Sequence, residues 1–150
     1  MRWITRENIK VDRVACPWLI KHFVDPQAEF LFVPEPELLT AAQREGATPF
    51  DATRFPEVKL NHRGDRCTFE AILEDFALTD PALQRLGHIV RAADVKGQEE
   101  IAPEGVGLRA IAQGLASMGL SDEERLRIGF SIYDALYAYV THHVESQRLC

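Results

Sequence analysis

The chain has 150 residues, a net charge of -6 at neutral pH, and an apolar fraction of 46%. That length and composition suit one domain spanning residues 1–150 with a real core, and they exclude global disorder. The acidic balance argues against direct nucleic-acid binding and against anionic membranes, both of which reward a basic face, and no run of ~20 apolar residues offers a membrane span.

The N-terminus, Met1 to Glu7, lacks the apolar centre of a secretory signal. Trp3 to Thr5 reads as a short strand. Val11, Val14, Ala15, Trp18, Leu19, His22 and Phe23 form a helical stripe. Pro17 allows two readings of it: a kinked helix from about Val11, or a helix with Pro17 at its first position and Cys16 as cap, which is slightly preferred. Asp25-Pro26 ends that helix. Ala28 to Val33 is a buried strand, and Glu35 to Arg44 a helix opened by Pro36 and broken by Gly46. Thr48 to Phe50 and Val58 to Leu60 are short strand candidates.

The second half is helical. Cys67 to Phe76 forms one helix. Asp80-Pro81 caps and opens another, to about Ala93. Pro103 opens a third, to about Met118. Ser121 and Glu124 form a capping box at the head of the longest helix, which runs to about His143. Leu126, Phe130, Tyr133, Tyr137, Val140 and Val144, widened by Ile132, Leu136 and Tyr139, give it a broad core-facing stripe. The expectation is a predominantly helical α/β (α+β) domain with a small mixed sheet from the N-terminal third.

The chemistry concentrates in Asn61 to Glu70, where ten residues hold a His, a Cys, two carboxylates, two Arg and a turn Gly. His62 precedes the turn signal Arg63-Gly64-Asp65. Cys67 and Glu70 have capping-box spacing; as cap, Cys67 would have its thiolate favoured by the helix dipole. Glu70 has two readings, one as a carboxylate reaching back to the backbone and one as a metal ligand beside His62. Asp94 ends a helix where the dipole disfavours a carboxylate, which gives it a claim to function. Asp12-Arg13 reads as a structural ion pair or as an Arg aimed at an anion. Asp51 sits at a strand end, where ligands gather in α/β sheets. His142 and His143 read as solvated helix-end residues. The cysteines Cys16, Cys67 and Cys150 form no disulfide framework or zinc pattern, which points to a reducing cytoplasm and leaves a Cys16–Cys67 bridge open.

Val11-Asp12-Arg13-Val14-Ala15-Cys16-Pro17-Trp18-Leu19-Ile20, the stretch Asp25 to Val33, Gly46 to Asp51 and His62 to Glu70 together resemble the bacterial chromate-resistance protein family, over nearly the whole chain. Members are labelled chromate-resistance proteins, some as exported, and others form the C-terminal part of chromate-responsive regulators. The resemblance implies that domain alone, with neither a DNA-binding region nor a signal peptide. Where many relatives carry His three residues before the Asp matching Asp94, this chain has Arg91, and His88 is the candidate substitute.

The leading expectation is a cytoplasmic metal-binding domain of chromate resistance, sensing or stress response. Its ligands would be His62, Glu70 and Asp94, with Asp65 and Cys67 as neighbours. Carboxylates with His suit a divalent or trivalent ion such as Mn, Fe, Zn or Cr(III). A second reading is an enzyme acting on a small oxyanion, with Arg13 and Arg66 holding the anion and Cys67 or Glu70 acting. A third is a regulatory or interaction module without catalysis. Homo-oligomerisation is left open.

Overall fold

A computed structural model describes residues 1–148; Cys150 lies outside the described residues. Strand β1 (Arg2–Arg6) is central, flanked by β2 (Glu29–Val33) and β3 (Thr48–Pro49). Both pairings are parallel, with Trp3 opposite Phe30 on one side and Thr48 on the other. The sheet is therefore parallel throughout rather than mixed. Its two connections are helical crossovers, through α1 (Asp12–Leu19) and α2 (Leu38–Glu45), and such crossovers return the chain in the same direction. The expected strand at Val58 to Leu60 reduces to one isolated pairing of Leu60 with Phe50.

Alternation along β1 divides the interior. Ile4 faces a small apolar cluster with Leu38, Ala41 and Ala42 of α2. Trp3 faces the larger core, built with Trp18 and Leu19 of α1, Phe69 and Ile72 of α3 (Thr68–Asp75), and Leu83, Leu86 and Ile89 of α4 (Pro81–Asp94). Helices α5 (Glu104–Ala116) and α6 (Asp122–Arg148) complete the fold, and α6 contributes Tyr133 and Val140 to that core. Among the described residues no helix is long and apolar enough to cross a membrane.

The second half follows its capping signals. Asp80 accepts the Ala82 N–H at 2.8 Å, and Ser121 Oγ accepts the Glu124 N–H at 3.2 Å. Pro17 does not. It lies inside α1, which begins at Asp12, so the preferred placement of Pro17 at the first helical position is corrected. Val14, Ala15, Cys16, Trp18 and Leu19 are all buried along this helix. Burying that many side chains outweighs the ~3 kcal/mol that an interior proline costs. One turn on, Ile20–Val24 switch to π-helical bonding, and the Asp25 N–H reaches the Ile20 carbonyl at 2.7 Å.

Two glycines of α5 separate close packing from idle flexibility. A Cβ on Gly105 would stand 2.5 Å from Ala92 Cβ and 2.9 Å from its carbonyl carbon, whereas one on Gly107 meets nothing within 4 Å. Gly105→Ala is expected to destabilise the fold by about 1–3 kcal/mol, because backbone cannot move aside. Gly107→Ala is expected to stabilise it by up to about 1 kcal/mol through helix propensity. Urea unfolding of both variants checks the opposite signs.

Candidate metal centre

The carboxyl ends of β1 and β3 lead into the residues that form the site, the position at which open parallel sheets place ligands. Beyond β1, Asp12 opens α1 and is 1% exposed. Its Oδ2 accepts the Thr68 N–H at 2.8 Å and its Oδ1 the Phe69 N–H at 3.1 Å. These are the first amides of α3, which have no partner within their own helix, and the positive end of the α3 dipole favours the carboxylate further. The Cys16 thiol, one turn along α1, donates to Oδ1 at 3.2 Å.

Beyond β3, Asp51 takes a left-handed backbone conformation with φ 47°, which Asp tolerates better than most residues. The Thr68 hydroxyl donates to its Oδ1 at 2.8 Å, and Arg13 Nε lies 3.5 Å from its Oδ2. Thr68 thus engages Asp12 through its amide and Asp51 through its hydroxyl. Asn61 then clamps the loop: its side-chain oxygen accepts from the Ala52 N–H and its amide donates to the Ala52 carbonyl, both at 2.9 Å. The clamp ties the residue after Asp51 to the residue before His62.

His62 Nε2 lies 3.3 Å from Asp12 Oδ2, 3.4 Å from Asp51 Oδ1 and 3.1 Å from Asp94 Oδ2. Hydrogen bonding to Asp12 first, then to Asp51 and Asp94, pushes the His62 pKa up to about 12. Burial, reinforced by the charge of Asp51, raises Asp12 to about 7. Burial also works to raise Asp51, but hydrogen bonds from His62 and Thr68 and the charges of His62 and Arg13 hold it below its ordinary value.

Of the residues singled out in the sequence, His62 and Asp94 come together here. Glu70 takes the backbone role: its Oε1 accepts the Cys67 N–H at 3.1 Å and lies 3.4 Å from Arg91 Nε. Cys67 occupies the N-cap position of α3, but the thiolate expectation is reversed. Burial, then the charges of Asp12 and Glu70, push its pKa well above the ordinary thiol value. Cys16 and Cys67 are both free thiols, and both are buried. Asp65 is exposed at the tip of the Arg63–Arg66 turn, away from the cluster.

The predicted Asp12–Arg13 pair is replaced by Arg13 with Asp51, and Arg13 also donates to the carbonyls of Arg6 at 3.2 Å and Glu7 at 2.8 Å. Arg63 forks onto Asp75 with two bonds of 2.8 Å, and Arg66 pairs with Glu74. His88 is exposed on α4 and does not join the site. Asp12 was read first as an ion-pair partner of Arg13 and Asp51 as a strand-end carboxylate, and neither stood in the expected ligand set. The signal for Asp12 was its place one turn before the buried Ala15 and Cys16, on the inward side of a helix.

One ligand atom each from Asp12, His62 and Asp94 lie within 4.8 Å of one another. An α/β domain with a carboxylate–His cluster at the carboxyl edge of a parallel sheet is the class these features define. Residues 3–140 match the family described as ChrB, C-terminal domain. The chain belongs to that family, which is associated with chromate resistance. It is 35% identical over 140 residues to Protein ChrB of Cupriavidus metallidurans strain CH34, covering 92% of this chain and 40% of that protein. The chain therefore spans about two-fifths of the length of that curated relative. No solved structure matches the chain.

Because the folded site holds the His62 proton more tightly than the unfolded chain does, the stability His62 contributes is complete below about pH 6.5 and is lost as pH rises toward 12. In the metal-free protein, the His62 imidazole is expected to stay doubly protonated from pH 6 to 9 in long-range proton–nitrogen NMR spectra. A neutral tautomer at pH 8 would contradict the three-carboxylate environment.

Proposed function

We propose that this chain is a cytoplasmic metal-binding domain acting in chromate resistance, with Asp12, His62 and Asp94 as ligands and Asp51 beside them. The observation that carries this reading is the convergence of three carboxylate oxygens on a single imidazole nitrogen. One N–H makes at most one well-aligned hydrogen bond, so a proton there aligns with one acceptor and meets the other two only weakly. A cation can meet all three. Two ligand atoms on one ion with bonds of about 2.0–2.2 Å stand about 2.8–3.6 Å apart, from the octahedral and tetrahedral geometries. The separations of 3.1, 3.3 and 3.4 Å at His62 fall in that range.

The donor set fits an ion of intermediate hardness. Carboxylate oxygens with one imidazole suit Mn, Fe or Zn better than they suit thiophilic ions. The buried thiols Cys16 and Cys67 point instead to Asp12, and to Glu70 and the Gly87 carbonyl, respectively. The ligands are also fixed in advance, Asp12 by the α3 amides and Asp51 by Thr68. Metal occupancy would serve sensing or catalysis within the resistance response.

An ion at His62 Nε2 must displace the proton held there, so metal and proton compete. Titration calorimetry with Mn2+ is expected to give one ion per chain, with affinity rising about tenfold per pH unit between pH 6.5 and 8.5 as one proton is released. Asp94→Asn is expected to lower affinity at least about tenfold, while Glu70→Gln, which alters the α3 cap, leaves it within about twofold. Failure of Mn, Fe and Zn alike to remain bound after dialysis sinks the reading.

A further inference from the structure

Helix α5 packs on α4 with one side and leaves the other side bare. Gly105 and Leu108 are the buried residues along it. Gly105 lies against Ala92, and Arg109 donates to the Ala93 carbonyl at 2.8 Å. The opposite side, continued past the end of the helix, runs through Val106, Gly107, Ala110, Ile111, Gly114 and Met118, all of them exposed. Val106, Ile111 and Met118 are 63%, 47% and 62% exposed. From Pro103 to Gly119 no exposed residue carries a charge, in a chain that is 27% charged. A surface helix ordinarily turns its polar side to water, and α5 turns an apolar one. Beside Ile111 a narrow seam separates α5 from α6; apart from Lys10 and Arg125 its lining is apolar, with Val14, Leu108, Leu115 and Ile132 among the walls. Its volume of about 20 Å3 is close to that of a single water position. That excludes a free small molecule and leaves a protein surface as the kind of partner this face fits.

We propose that this face of α5 binds the same face of a second copy of the chain, as an antiparallel helix pair across a two-fold axis near Ala110 and Ile111. Charge selects that occupant. Each copy carries a net charge of -6, so two copies repel across most of their surface and approach at least cost across an uncharged one. Anionic lipid is disfavoured for a related reason: a helix lying on it presents Lys or Arg beside its apolar face, and none is exposed along α5. The spacing is self-complementary as well. Gly107 and Gly114 stand three residues to either side of the Ala110–Ile111 pair, so an antiparallel copy sets each glycine opposite the other. A Cβ at either glycine meets nothing within 4 Å, which leaves room for a second backbone to approach on both sides of Ile111. Contact of the same patch on both copies closes as a two-fold dimer, the commonest assembly of identical chains. With 13 residues, α5 is ~20 Å long, so the area it buries lies at the low end of specific interfaces and the dimer is expected to be weak. Neither the face nor its pairing depends on a metal at His62.

Sedimentation equilibrium of the metal-free chain over roughly 10 to 500 micromolar tests the pairing. Wild type is expected to pass from monomer to dimer as concentration rises. Val106→Glu/Met118→Glu sets like charges against one another across the axis and is expected to weaken the dimer at least about tenfold. Both positions are exposed, so the variant is expected to keep its circular dichroism spectrum. Cross-linking gives a second readout. Ala110→Cys and Gln27→Cys are made separately in a Cys150→Ser background, Cys16 and Cys67 being buried, and each is oxidised mildly with copper phenanthroline. Ala110→Cys, near the axis, is expected to link two copies, whereas Gln27→Cys, exposed in the turn before β2, is expected to stay unlinked. A wild type that is monomeric throughout, a Glu variant that dimerises as wild type does, or linking from Ala110→Cys no faster than from Gln27→Cys overturns the proposal. Wild type that stays monomeric but floats with phosphatidylglycerol vesicles, and no longer does so in the Glu variant, assigns the face to lipid and overturns it equally.

Discussion

A carboxylate inside a protein must be met by donors or by positive charge, and Asp12 depends on both. It is buried, yet it receives two amide hydrogens from the first turn of α3, a thiol hydrogen from its own helix, and the imidazole of His62. This one side chain joins α1 to the end of α3. Removing it would leave two buried amides without partners and the Cys16 thiol without an acceptor. The junction also sets the site, because the oxygen that accepts from Thr68 is the same one that faces His62. Structural and chemical demands therefore fall on the same carboxylate, and neither can change alone.

The two helix ends that meet at His62 have opposite electrostatic character. The N-terminus of α3 carries partial positive charge and favours Asp12, whereas the C-terminus of α4 carries partial negative charge and opposes Asp94. Asp94 is thus the carboxylate with the greatest need for a cation, and it is the one closest to His62, at 3.1 Å. Three carboxylates converge where two cations, His62 and Arg13, stand in reach, which leaves one negative charge unbalanced. Protonation of Asp12, whose pKa lies near 7, or a multivalent ion in place of the imidazole proton corrects that imbalance.

The helices of the second half were legible because their ends carry local signals: Asp80 with Pro81, and Ser121 with Glu124, act within a few residues of themselves. The parallel sheet was less so. Strand direction is decided by crossovers that no window along the chain contains, and Pro17 was misplaced because the packing of Trp18 and Leu19 outweighs its local cost. At the site, the density of functional residues around His62 marked the right loop. What remained hidden was the partition of roles within it. Glu70 and Asp94 look alike as letters, but one faces an amide and Arg91 while the other faces His62. Asp12 was hidden because its partners, Thr68 and Phe69, lie over fifty residues away in sequence.

The role of Glu70 also bears on Arg91, the position at which the sequence resemblance leads one to expect His. Arg91 Nε lies 3.4 Å from Glu70 Oε1, so this side chain reaches the cap of α3. Exchange at this position changes what answers the Glu70 carboxylate. Among the described residues none of the contacts found at Asp12, His62 and Asp94 involves Arg91, so that cluster is held by donors of its own.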